Sequence, residues 1–81
     1  MWNMSINVTF KNKTDGSHHF IIWDVAADPN DPKKIFDDYI DTQAQTDSIA
    51  VTEPGEIKWR HDAYEGQEHG FHEGQVVEIG S

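Results

Sequence analysis

Residues 18–25, HHFIIWDV, decide how this chain folds. Phe20, Ile21, Ile22, Trp23 and Val25 suit a pleated surface, and neither Gly nor Pro interrupts them, so the stretch reads as a central β-strand. Upstream, residues 5–11 alternate, with Ile6, Val8 and Phe10 on one side and Asn7, Thr9 and Lys11 on the other. Between the two runs lies Asp15-Gly16, a pair that favours a tight hairpin turn. A two-residue loop there would set Phe10 opposite Ile21, Val8 opposite Trp23 and Ile6 opposite Val25, all apolar pairs. A slip of one residue would break every one of them. On this reading Trp23 lies in the core, His19 caps the edge of the same apolar cluster, and His18 shares the other side with Phe20 and Ile22.

Working outward, residues 28–32 (DPNDP) carry two prolines among turn formers, so the strand must end before them. Residues 32–42 give two signals. Ile35, Phe36, Tyr39 and Ile40 fall at helical spacing behind Asp31 and Pro32, yet Lys33 and Lys34 are poorly placed at a helix N-terminus, and Tyr39, Ile40 and Thr42 also suit a strand. A short helix is expected. Residues 48–52 and 56–61 read as strands through Ile49, Val51, Ile57 and Trp59. Pro54-Gly55 between them suits a type II turn, whose twist would carry the chain from one sheet to another. Residues 62–74 are polar, contain Gly66, Gly70 and Gly74, and read as a long loop. A last short strand covers residues 76–79.

These elements amount to a single domain spanning residues 1–81. Its expected fold class is mostly β: a small antiparallel β-sandwich or open barrel of about five strands, with a short helix near residues 32–42. A chain this short has one small core and little depth for an enclosed active site. Cysteine is absent, so neither disulfides nor thiolate chemistry are available, which fits a cytoplasmic protein. The first dozen residues lack the basic start and apolar run of a signal peptide.

The net charge is −9. Residues 1–40 hold four Lys and six acids, and residues 41–81 hold two Lys or Arg and nine acids, so the second half carries most of it. Phosphate backbones and anionic lipid surfaces repel such a chain, and the expected partners include neither nucleic acid nor membrane. Catalytic motifs are missing: there is no GxSxG and no phosphate-binding glycine loop, and Asp37-Asp38 are neighbours that point apart.

The remaining chemistry concentrates in RHDAYEGQEHGFHE, residues 60–73. His61, His69 and His72 among carboxylates offer a set of zinc ligands, although no HExxH sets their spacing. Asp24, Asp28, Asn30 and Asp31 are rich in oxygen but read first as turn residues, since Pro32 and the lack of glycine break the EF-hand pattern. Of the large aromatics, Trp2, Tyr39, Tyr64 and Phe71 are free to sit at the surface, and Tyr64 and Phe71 are the candidate binding residues of the 62–74 loop. The functional expectation is a small acidic, non-enzymatic binding domain, working without a cofactor. It would engage a protein partner or a second copy through a sheet edge or the 62–74 loop. A metal-binding protein, extending to a small metal-dependent enzyme, using the 61–72 segment is the second reading.

Overall fold

The computed structural model describes residues 4–80, so Trp2 lies outside the described residues. Seven strands follow one another: β1 (Ser5–Asn12), β2 (His18–Asp24), β3 (Lys33–Ile40), β4 (Ile49–Thr52), β5 (Glu56–His61), β6 (Tyr64–His69) and β7 (Val76–Ile79). They form a three-stranded sheet in the order β4-β1-β7 and a four-stranded sheet in the order β3-β2-β5-β6. The expected small sandwich is therefore present, with two sheets packed face to face and no closed barrel. One pair departs from the antiparallel rule, because β7 runs parallel to β1, with Thr9 opposite Val76 and Asn12 opposite Ile79.

The alternation read for β1 holds: Ile6, Val8 and Phe10 are buried, and Asn12 follows them inward. The hairpin does not. β1 pairs with β4 and β7, whereas β2 pairs with β3 and β5, so residues 13–17 carry the chain from one sheet to the other. The Asn12 side chain makes this crossing. Its Nδ2 donates to the carbonyls of Gly16 (2.9 Å) and Ile40 (2.8 Å), and its Oδ1 accepts from the backbone N–H and the hydroxyl of Thr14.

Without the hairpin to set its register, β2 turns its other face inward. Phe20, Ile22 and Asp24 are buried, while Ile21 and Trp23 lie on the outer face. Both faces of this strand are apolar, so periodicity alone could not choose between them. On the outer face the Trp23 ring lies 5.9 Å from Lys58 Nζ and 5.7 Å from the Arg60 guanidinium, a cation–π arrangement rather than a core site. Asp24 ends β2 inside the fold, its carboxylate accepting from the N–H of Thr52 in the opposite sheet at 2.9 Å.

The short helix expected near residues 32–42 is a strand instead. β3 pairs with β2 from His18–Ile40 to Asp24–Lys33, and a helix would leave that edge of β2 without partners. A bulge between Ile22 and Trp23 leaves Ile35 as the extra residue, since Ile22 faces Phe36 and Trp23 faces Lys34. Ile35 and Phe36, neighbours in sequence, both pack against the core as a result. The sequence spacing that resembled a helix was the spacing of a bulged strand.

The 62–74 loop is also shorter than expected. Asp62 and Ala63 form a tight turn, with Asp62 at φ 49°, and β6 returns along β5. Its sequence YEGQEH gave no apolar alternation because Trp59 supplies the apolar surface. A Cβ on Gly66 would lie 2.5 Å from the Trp59 ring, so the indole occupies space that only glycine leaves free. The turn after β4 does pass between the sheets, although it closes one residue early: Gly55 N–H donates to Thr52 C=O and the Glu53–Pro54 bond is cis.

Between β6 and β7, Glu73 reaches back to β1. Its carboxylate accepts from the Asn7 backbone N–H (2.9 Å) and from Asn7 Nδ2 (3.2 Å), and these bonds hold its carboxyl below the ordinary 4.5.

Urea denaturation separates the two faces of β2: Trp23→Ala should cost about 1–2 kcal/mol for a half-buried ring and a weak cation–π contact. Ile22→Ala should cost about 2–5 kcal/mol. The Glu73 contact gives a second expectation. A carboxyl with a lowered folded pKa adds stability that is present above its ordinary value of 4.5 and is lost as pH falls through the folded value. Glu73→Gln should therefore flatten the acid limb of the stability profile below about pH 4.5, and an unchanged limb would show that the contact is not formed.

Candidate functional site

β3 and β4 are edge strands of different sheets, joined by the segment 41–48. A groove of about 550 Å³ runs there. Its floor is apolar: Ile35 and Phe36 from the bulge of β3, Ala44 from the connecting segment and Ile49 from β4, all partly buried against the core. The connecting segment keeps its place by bonding to β1, with Asn12 N–H to Ala44 C=O and Thr46 N–H to Phe10 C=O, each 2.9 Å.

The rim of the groove is acidic. Asp38, Asp41 and Asp47 line it, and no lining residue is Lys or Arg. Among the described residues none of these three carboxylates takes part in an ion pair, whereas neighbouring Asp37 is held by both Lys34 and His19. Those two contacts, Lys34 first, lower the Asp37 carboxyl below its ordinary value. The negative charge left uncompensated on β3 thus lies along the groove. Tyr39 stands beside it, 68% exposed.

The histidines expected to act together are spread apart. His61 ends β5 and His69 ends β6, and in the β5–β6 ladder His61 faces Tyr64 while Glu56 faces His69. Five residue steps along an extended strand put His69 about 17 Å from the His61 end. His72 is exposed in the segment after β6. His61 itself is buried, 5% exposed, with its ring near those of Phe20 (4.8 Å) and Trp59 (5.6 Å). Burial, and secondarily the neighbouring His18, push its pKa down against the opposing pull of Asp62.

The residues beside His61 are His18 and Asp62. Phe20 faces His61 across the β2–β5 ladder, so His18, two residues earlier on the same face, is its diagonal neighbour. Sequence reasoning set His18 on the Phe20 side but took that side for the outer one. Asp62 was one of several carboxylates around the expected histidines, and only the tight turn after β5 singles it out.

Of the two candidate binding aromatics, Tyr64 is 69% exposed at the start of β6, and Phe71 is buried at 8%. Phe71 packs onto Gly55, where an added Cβ would stand 2.9 Å from its own. It plugs the core rather than presenting a surface. The oxygen-rich turn after β2 is likewise structural, with Asp24 turned inward and Asp28 Oδ1 accepting from Asn30 N–H. No helix among the described residues is long and apolar enough to cross a membrane. The chain matches no protein-family model, no curated protein and no solved structure.

Phe71→Ala should cost about 3–5 kcal/mol in urea denaturation, as a core aromatic does. Tyr64→Ala should stay within about 0.5 kcal/mol of the parent, and equal losses at both positions would contradict this placement.

Proposed function

We propose that this protein is a non-enzymatic binding domain that takes an extended segment of a protein partner along the outer edge of β3. The segment carries an apolar side chain for the groove floor and Lys or Arg for its rim. The observation that carries the reading is the juxtaposition of an apolar floor, built by Ile35, Phe36, Ala44 and Ile49, with three carboxylates that form no ion pair among the described residues. A free sheet edge offers backbone hydrogen bonds to an added strand, and flanking pockets and charges then select its side chains. A net charge of −9 draws a cationic segment from a distance and repels a second copy of the chain, which disfavours self-association. The lack of cysteine fits work in the reducing cytoplasm.

The test uses synthetic ten-residue peptides that alternate valine with lysine, with glutamate or with serine, titrated into isotopically labelled protein. The lysine peptide should shift signals of β3 and residues 41–49, and its affinity should fall as salt rises. Replacing Asp38, Asp41 and Asp47 together by Asn should weaken it by about tenfold or more, at about 0.5 kcal/mol per lost surface contact. Equal binding of the glutamate peptide, or shifts centred on β6, would refute the reading.

A further inference from the structure

We propose that His18, His61 and Asp62 form a binding site for a divalent transition-metal ion of the zinc class, separate from the groove. The three come together through the ladder and the turn already described: His61 at the last position of β5, Asp62 in the tight turn that follows, and His18 on the adjacent end of β2. One donor atom from each lies within 4.8 Å of the other two. His18 Nδ1 contacts Asp62 Oδ2 at 2.5 Å, and His61 Nδ1 lies 3.9 Å from the same oxygen. Bonds of about 2.0–2.2 Å to a tetrahedral ion place donors roughly 3.4 Å apart, so the present spacings bracket what an ion requires.

A second, independent observation sits in the core. His61 Nδ1 is buried and has no hydrogen-bond partner, although its side chain is only 6% exposed. Buried polar atoms are nearly always paired, and one left over beside a carboxylate and a second imidazole is explained by a ligand that bonds to it. The other two side chains can move to meet an ion, being 30% and 56% exposed. His61 is the fixed point of the set.

The donor types select the ion. Two imidazole nitrogens with one carboxylate suit zinc and its neighbours, whereas calcium and magnesium favour oxygen alone. Three protein ligands leave one position of a tetrahedral ion free, as in zinc sites that keep a water. His18 and His61 line a hollow of about 430 Å³ together with Lys13, Asp15 and Tyr64, which gives an ion a route from solvent.

The full chain is titrated with Zn²⁺ alone, and with Co²⁺ for its visible absorption. One equivalent should bind saturably at micromolar concentration, with tetrahedral Co²⁺ bands and NMR shifts confined to the neighbourhood of His18, His61 and Asp62. Because His61 belongs to the core, the variants to use are His18→Gln and Asp62→Asn. Each should weaken binding by at least about tenfold, while His69→Gln and His72→Gln leave it unchanged. Absence of saturable binding below millimolar metal, unchanged affinity in both His18→Gln and Asp62→Asn, or a loss on replacing His69 or His72 would overturn the assignment.

Discussion

The amide of Asn12 is the joint on which this sandwich turns. It is fully buried, yet both its N–H groups and its oxygen are satisfied, by Gly16, Ile40 and Thr14. An amide buried without partners would cost about 1–3 kcal/mol, and this one converts the liability into a connection between sheets. It folds residues 13–17 away from β1 and ties them to the end of β3 in the opposite layer. Once the chain crosses there, β2 cannot lie beside β1. Its inward face becomes His18, Phe20, Ile22 and Asp24. Asp24 then makes the reciprocal tie at the far end of β2, accepting from Thr52 of the other sheet. Two buried polar side chains thus fix how the layers sit, and the apolar residues between them fill the space.

The same joint explains where chemistry can gather. With His18 turned inward beside Phe20, an imidazole that would otherwise face water stands next to His61 and the β5–β6 turn. Elsewhere, a groove runs along β3 and the segment that leads to β4, and the bulge at Ile35 lays two consecutive apolar side chains along it. Exposed sheet edges invite indiscriminate pairing, which charge on the edge discourages. Here the charge is of one sign along the groove, which is the condition the proposed cationic partner would need.

The legible parts of the fold were those with one apolar and one polar face. β1 and β5 alternate clearly, so their inward residues could be read from the sequence, and Glu56–His61 emerged with its bounds intact. β2 is apolar on both faces, and a tight-turn pair upstream supplied a register that the buried amide overrides. β3 resembled a helix because a bulge shifts its apolar residues out of strict alternation. β6 carries no apolar alternation at all, since the apolar residues beside it, Ile57 and Trp59, belong to the adjoining strand, and Trp59 lies over Gly66. Within the candidate sites, His61 stood out by its residue type, but its neighbours depend on the face of β2 and on the two-residue turn, both of which are settled by contacts distant in sequence. The acidic rim was visible only as composition until β3 and the segment after it were placed side by side.

Pairing of β7 alongside β1 has a temporal consequence. The first of the described strands is completed by the last of them, and the Asn7–Glu73 contact beside that pairing spans 66 positions. Until those residues emerge, the edge of β1 that faces β7 has no strand beside Thr9 to Asn12, and Phe10 has no Val77 opposite it. The local pairings of β2 with β3 and of β5 with β6 do not require that closure, and the long-range β1–β7 pairing makes for slow folding, in the range of about milliseconds to seconds typical of small β proteins. A nascent chain halted before Val76 therefore leaves the Thr9–Asn12 edge of β1 uncovered, so the three-stranded sheet is vulnerable until a segment far downstream has been made.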